Sequence, residues 1–200
     1  MNSPQDADDA TLLARIAQGD RVAMRALYDR EAPAVRRYAR SHGAGASEVE
    51  DVVQDVMLEV WRLPERYAGR SSLRAWLLGI ARNKTIDKQR ARWREIGIDE
   101  PDELGVPDSS ADPEAAAAAA LDADRVRACL AKLKPAHRTA IHLAFFEGLD
   151  YADIAVVEDA PVGTIKTRIM HAKRLLMHCL ERTKKSSGYS IGNAKPRQPS

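Results

Sequence analysis

Residues 150–176, DYADIAVVEDAPVGTIKTRIMHAKRLL, constrain this chain more than any other stretch, because they read as two short helices joined by a tight turn. Numbered from Val162, the apolar residues Ile165, Ile169, Ala172 and Leu176 recur at steps of four, three and four, which makes one buried stripe on the second helix. The opposite side is left to Lys166, Thr167, Met170, His171 and Arg174. Cations and short hydrogen-bonding side chains on one exposed helical face are what reading base edges and phosphates in a major groove requires. The layout is that of a DNA-reading helix-turn-helix. A plain surface helix with a polar face has the same pattern, so the rest of the chain has to decide.

Charge is segregated along the sequence, a fact hidden by the net charge of +2. Residues 82–94 hold the bases Arg82, Lys84, Lys88, Arg90, Arg92 and Arg94 against one acid, Asp87. Residues 95–114 hold Glu95, Asp99, Glu100, Asp102, Glu103, Asp108, Asp112 and Glu114 and no base at all. Residues 166–185 turn positive again, with Glu181 as the one acid. Two basic blocks about an acidic one suggest two nucleic-acid-facing modules and a linker that polyanions repel. Solvated helix faces are the plainer account of either block taken alone.

With 200 residues and 44% hydrophobic content, the chain can bury one or two small cores. Cys129 and Cys179 lie far apart inside helical apolar patterns, so neither a disulfide framework nor a C-x-x-C metal site is indicated, and a reducing cytoplasm fits. The start, MNSPQDADDA, is acidic and polar without an apolar core region, and no uncharged run approaches a membrane span. Secretion and membrane insertion are therefore not expected.

Every periodic segment has helical spacing and none alternates as a strand does. The expected fold is all-α: two small helical domains joined by an extended acidic linker. A disordered N-terminus covers residues 1–10, and the first domain covers 11–95. Its helices are expected over 11–18, 22–41 with Pro33 inside, a third capped by Ser47 with Glu50 closing a capping box, and a long one over 72–93. The third carries Val49, Val52, Val53, Val56 and Val60 on one side, and the fourth turns Leu73, Trp76, Leu77 and Ile80 inward. The linker covers 96–113. The second domain, 114–183, begins at a helix capped by Asp112 with Pro113 at its first position, followed by a helix over 138–147 ending at Gly148, then the helix-turn-helix with Asp150 as cap. Residues 184–200 read as a disordered basic tail.

Three of these segments converge. EDVVQDVMLEVW at 50–61, SSLRAWLLGIARNKTID at 71–87 and the helix-turn-helix stand in an order and spacing that resembles a bacterial RNA polymerase sigma factor of the extracytoplasmic-function type, over roughly residues 11–182. The resemblance implies a factor that binds core RNA polymerase and directs initiation at promoter DNA through its minus-ten and minus-thirty-five elements, under an anti-sigma factor. Asp51, Gln54 and Asp55, with a protruding Leu58 and Trp61, would form the polymerase-binding surface. The loop Tyr67, Ala68, Gly69, Arg70, Ser71, Ser72 would hold a flipped minus-ten base, with Asn83 offering donor and acceptor and Arg82, Lys84 and Lys88 holding phosphates. Only Tyr67 is an aromatic placed for melting, so opening would lean on recognition of both elements.

The minus-thirty-five reader matches at Ile154, Ala155, Pro161, Val162, Gly163, Thr164, Lys166 and Arg168, with Thr167, His171 and Arg174 on the same face. Two positions depart from the family's commonest pattern. Glu158 and Asp159 stand where an apolar residue and a glycine are usual; Asp tolerates the left-handed turn, whereas Glu158 has no evident place. His171 stands where arginine is frequent, which puts that base contact in doubt. The acidic linker is expected to thread a polymerase channel otherwise used by RNA.

Three rivals remain. One is a sigma-like interaction protein that sequesters an anti-sigma factor without binding DNA; the basic helices argue against it. Another is a thiol or metal sensor built on Cys129, Cys179, His171 and His178, against which stands the ordinary packing role of such residues. An enzyme has least support, since no nucleophile elbow, phosphate-binding glycine loop or paired carboxylates occur at usable spacing. No catalytic residue, cofactor, metal or small-molecule substrate is expected.

Overall fold

The computed structural model describes residues 4–95 and 117–187. Among them are eight α-helices and one 3-10 turn: α1 (Pro4–Ala17), α2 (Arg21–Ser41), α3 (Ala46–Arg62), the turn Pro64–Arg66, α4 (Leu73–Glu95), α5 (Ala117–Ala131), α6 (Pro135–Phe145), α7 (Tyr151–Glu158) and α8 (Val162–Ser187). No strand and no helix long and apolar enough to cross a membrane occurs among the described residues. The linker, its proposed channel role and the Asp112–Pro113 helix start fall outside them, as do residues 188–200; residues 184–187, expected in the disordered tail, continue the last helix.

In the N-terminal module the valine ladder of α3 is buried as its spacing predicts, with Val49, Val52, Val53, Val56 and Val60 all at or below 1% exposure. Valine is a mediocre helix former, so this helix owes its stability to packing; each buried side chain contributes about 1.5 to 3 kcal/mol. Leu73, Leu77 and Leu78 of α4 close the core from the other side.

Helix α1 starts at Pro4, seven residues before the expected start, so most of the N-terminus expected to be disordered is helical. The reason is electrostatic. Asp9 is buried and meets Arg30 of α2 at 2.5 Å, Arg30 meets Glu31 at 2.9 Å, and the buried Glu31 meets Arg74 of α4 at 2.8 Å. A carboxylate at residue 9 thus anchors α1 onto α2, and spacing alone gave no sign of it.

The caps differ in one place. Asp20 caps α2 by accepting from the Val22 and Ala23 N–H groups at 2.8 and 3.0 Å. Helix α3 is capped at Gly45 instead of Ser47, and it is the Glu48 carboxylate that accepts the Gly45 N–H, at 2.5 Å. Only the glutamate half of a capping box is formed, two residues earlier than expected, because Gly45 has no side chain to return the bond.

In the C-terminal module, Pro135 opens α6 and Gly148 ends the following loop at φ +68°, the left-handed conformation expected of it. Cys129 of α5 and Cys179 of α8 are joined by a disulfide, with Cα atoms 5.8 Å apart. This corrects the reading of two independent packing cysteines. Fifty residues separate them in sequence, but α5 lies alongside α8, which no spacing rule reveals.

The modules pack on each other. Helix α7 lies against α4, and the buried apolar residues of both form one continuous cluster that includes Leu78 and Ile154.

Candidate nucleic-acid interface

Helix α7 begins where Asp150 accepts the Asp153 N–H at 2.8 Å and ends at Asp159, φ +49° and ψ +51°. The Ala160 N–H returns to the Ala155 carbonyl at 3.0 Å, closing the helix as a Schellman motif does. An aspartate thus serves the turn in place of glycine, and α8 starts at Val162 with its first N–H groups drawn to the Pro161 carbonyl. Ile165, Ile169 and Ala172 are buried, as the stripe requires, while Leu176 at its end is only half-buried.

The outward face of α8 holds Gly163, Thr164, Lys166, Thr167 and Arg174, all exposed, with Pro161 exposed just before it. Lys166 and Arg174 form no ion pair among the described residues. Thr167 donates its hydroxyl back to the Gly163 carbonyl at 3.0 Å. A Cβ added to Gly163 would meet nothing within 4 Å, so nothing inside this chain requires glycine there. What the glycine leaves is an open helix N-terminus, a ready seat for an anion.

Two residues of the expected DNA face turn elsewhere. His171 is half-buried, its ring 6.2 Å from that of His137 on α6, so it leans into the module. Arg168 is half-buried with its guanidinium 3.7 Å from Glu158. Glu158 has a place after all: it is largely buried beside Arg168, facing Arg82 of α4 and Tyr38 of α2 around a cavity of about 220 Å³ between the modules. Burial raises the Glu158 carboxyl, and Arg82 and Arg168 pull it part of the way back. The Tyr38 phenol, fully buried without a hydrogen bond of ordinary geometry, is raised by burial and by Glu158.

The second basic helix is quenched by comparison. Lys84 of α4 meets Glu59 at 3.0 Å, Lys88 meets Asp51 at 3.4 Å and Asp55 at 3.6 Å, and Arg92 meets Glu48 at 3.2 Å. Two expected phosphate binders are therefore paired with α3, Lys88 with two acids of the expected polymerase-binding set. Asn83 is exposed and Arg82 is half-buried at the seam. In the preceding loop Gly69 is left-handed at φ +65°, Arg70 is exposed, and Tyr67 donates its hydroxyl to the Ser71 carbonyl at 2.7 Å while its ring lies 5.5 Å from that of Trp76. Ser72 caps α4 by accepting the Ala75 N–H at 3.2 Å. Its own N–H and hydroxyl are given to Asp153 of α7, at 3.0 and 2.5 Å.

On α3, Asp51, Gln54 and Leu58 are exposed and Asp55 is half-buried. Trp61 does not protrude; it packs partly buried against the core and, with Leu58 and Gln54, lines an open groove completed by Met24 and Tyr28 of α2. Sequence reasoning passed over Met24 and Tyr28, although their spacing of four on one face of α2 was a usable signal. It also passed over the seam residues Arg37, His42, Glu147 and Asp153, which no local pattern marks. Among the described residues no cluster of His, Cys, Asp and Glu is placed to hold a metal, and the cysteines of the sensor reading are bonded to each other.

A helix with an acidic face beside an open groove, a basic helix beside a small loop, and a helix-turn-helix with an open cationic face together define a two-module transcription factor. Residues 27–95 match Sigma-70 region 2 and residues 123–176 match Sigma-70, region 4. The chain belongs to the extracytoplasmic-function RNA polymerase sigma factors. It is 36% identical over 167 residues to ECF RNA polymerase sigma factor SigL of Mycobacterium tuberculosis, covering 82% of this chain and 93% of that protein. Its fold is similar to that of CnrH, solved in complex with the cytosolic domain of CnrY, with a TM-score of 0.62 and 28% identity over 87% of this chain and 97% of that one. It is also similar to the sigma factor RpoE of Bartonella quintana, solved with the anti-sigma factor NepR, with a TM-score of 0.59 and 32% identity over 75% of this chain and 91% of that one.

Proposed function

We propose that this protein joins core RNA polymerase through Asp51, Gln54, Asp55, Leu58 and the Trp61 groove, reads the minus-ten element with Tyr67, Arg70, Ser71, Ser72, Arg82, Asn83, Lys84 and Lys88, and reads the minus-thirty-five element with α8. On α8 the readers are Lys166, Thr167, Arg168 and Arg174, with Pro161, Gly163 and Thr164 at the helix start and His171 in a lesser role because it leans inward. The observation that carries the reading is the α8 face: Lys166 and Arg174, exposed and without ion pairs among the described residues, on a helix whose opposite stripe is buried. The protein works in the cytoplasm, where its polymerase is, and an anti-sigma factor controls it. Support for that control comes from CnrH, solved with the cytosolic domain of CnrY, and from RpoE, solved with NepR.

The rival reading, a sigma-like protein that sequesters an anti-sigma factor without touching DNA, has no use for such a face. Run-off transcription with core polymerase decides between them: the protein should convert an inactive core into one that initiates at defined sites. A core that stays inactive while the protein still captures an anti-sigma factor would favour the rival.

A further inference from the structure

We infer that the cavity between the modules is a binding site for a small organic acid, its carboxylate held by Arg82, Arg168 and the Tyr38 phenol and its apolar body by Ile86, Pro135 and Ala136. The volume of about 220 Å³ falls below the roughly 300 to 1,000 Å³ of sites for drug-sized ligands, which suits a body of about one ring.

The hydrogen-bonding capacity left in the wall sets the charge of the ligand. Thr85 gives its hydroxyl to the Ala81 carbonyl at 2.8 Å, Thr139 gives its own to the His42 ring at 2.6 Å, and the Gln89 amide is given to the His42 carbonyl. What remains is donors. The Tyr38 hydroxyl is fully buried and makes no hydrogen bond of ordinary geometry, a state that native structures rarely keep for a polar group. Arg82 forms no ion pair among the described residues, and Arg168 reaches only Glu158, at 3.7 Å. Glu158 is the one acid in the wall, and Tyr38, Arg82 and Arg168 all draw on it.

Two guanidinium groups against one carboxylate leave the wall with a positive charge in excess, because His42, pushed down to about 3, stays neutral. A second carboxylate supplies what the wall lacks: it accepts the Tyr38 O–H and the guanidinium N–H groups, as charge-assisted bonds to a planar fork. Ile86 of α4 with Pro135 and Ala136 of α6 line the rest, which offers contact to an apolar body and none to a bare inorganic anion. Arg82 and Arg168 both stand among the residues proposed above at DNA, so a carboxylate that holds them competes with the promoter. That competition rests on the promoter reading; the binding site does not.

Titration calorimetry on the full chain tests the site, with benzoate as probe and with its neutral counterpart benzamide and inorganic phosphate as controls. Wild type should bind benzoate at millimolar concentrations, and benzamide and phosphate about tenfold more weakly. Tyr38→Phe keeps the ring stacked on His42 and should weaken benzoate binding about tenfold, whereas Ala136→Phe fills the cavity and should abolish it. Neither residue belongs to the proposed DNA or polymerase surfaces. Circular dichroism checks that the helices are retained, and either variant carries the test if the other loses them. No benzoate binding by wild type, or equal binding by wild type and the folded variants, would overturn the site, and phosphate bound as tightly as benzoate would overturn the organic acid as its ligand. Benzoate should also suppress run-off transcription by wild type and spare Ala136→Phe; suppression of neither would overturn the competition. Benzoate bound while neither protein supports transcription would instead sink the promoter reading and leave the site in place.

Discussion

Helices α4 and α8 are both basic, and they use their charge in opposite ways. The cations of α4 are largely neutralised at home, Lys84 by Glu59, Lys88 by Asp51 and Asp55, Arg92 by Glu48. On α8 only Arg168 is drawn to an acid, Glu158; Lys166 and Arg174 are unpaired among the described residues and Lys173 is set over the Phe145 ring at 4.9 Å. The same residue types therefore give one helix whose positive charge must be released before it can hold phosphate and one that is ready at once. A count of basic residues along the chain does not distinguish them.

The largest effect that separates the modules is expected from the disulfide. It closes a loop of fifty residues wholly within the C-terminal module, and by chain entropy its reduction should cost that module about 4 kcal/mol. Thermal melting followed by hydrogen exchange should show α5 and α8 opening earlier under reductant with α1 to α4 unchanged. Uniform loss of protection across both modules would show that they unfold as one unit and weaken the contrast.

Acid should come next, and it acts at the seam. The His42 Nδ1 lies 2.8 Å from the Tyr38 carbonyl, which can only accept, so Nδ1 carries the proton and Nε2 accepts from Thr139. Burial first, and then the nearby His142, Arg138 and Arg82, push this ring down to about 3. A base whose pKa is lowered where the modules pack supports that packing above its ordinary value of 6.5 and loses the support as pH falls from there toward 3. By pH 5 the loss is about 2 kcal/mol. Glu158, raised by burial, has the opposite sign: its support is present at low pH and is lost as pH rises through its raised value. The shift of His42 is the larger of the two, so X-ray scattering should show the modules parting between pH 7 and pH 5, and more so in Glu158→Gln. An acid titration with no change in radius would remove His42 from the seam.

DNA binding tests the contrast directly. Replacing Lys166 and Arg174 together by alanine should weaken minus-thirty-five binding across sequences and flatten the slope of log affinity against log salt by about 1.8, two phosphate contacts at about 0.9 each. Replacing Lys84 and Lys88 should change the slope less, because freed carboxylates on α3 add local repulsion as well as removing cations. Equal slope changes from the two pairs would mean that the pairing on α4 does not matter. The smallest effect is expected at Gly163, where alanine fits without a clash. Gly163→Ala should leave the melting temperature within a degree or two and weaken duplex binding a few-fold, a split that equilibrium unfolding and anisotropy can read together.

The differences between sequence and structure follow one physical line. Patterns within a single helix were legible: the α3 valines, the Ile165, Ile169, Ala172 stripe, the Asp150 cap and the left-handed Asp159 all stand where spacing and turn chemistry put them. Pairings between helices were not. Asp9 with Arg30, Cys129 with Cys179, Arg37 with Glu147 and Ser72 with Asp153 are 21, 50, 110 and 81 residues apart, and no periodicity carries such information. Glu158 shows the boundary clearly. As a departure from a common pattern it was visible in the sequence, yet its role became plain only beside Arg168, Arg82 and Tyr38.

The most direct test of the account is transcription by core polymerase over a randomised promoter library, run with wild type and with the Lys166→Ala, Arg174→Ala double variant. Wild type should enrich two sequence blocks at a fixed separation, one for each module, and the variant should lose the upstream block while keeping the downstream one. Enrichment of a single block by wild type, or loss of both blocks together in the variant, would contradict a protein that reads promoters with two separate helical modules.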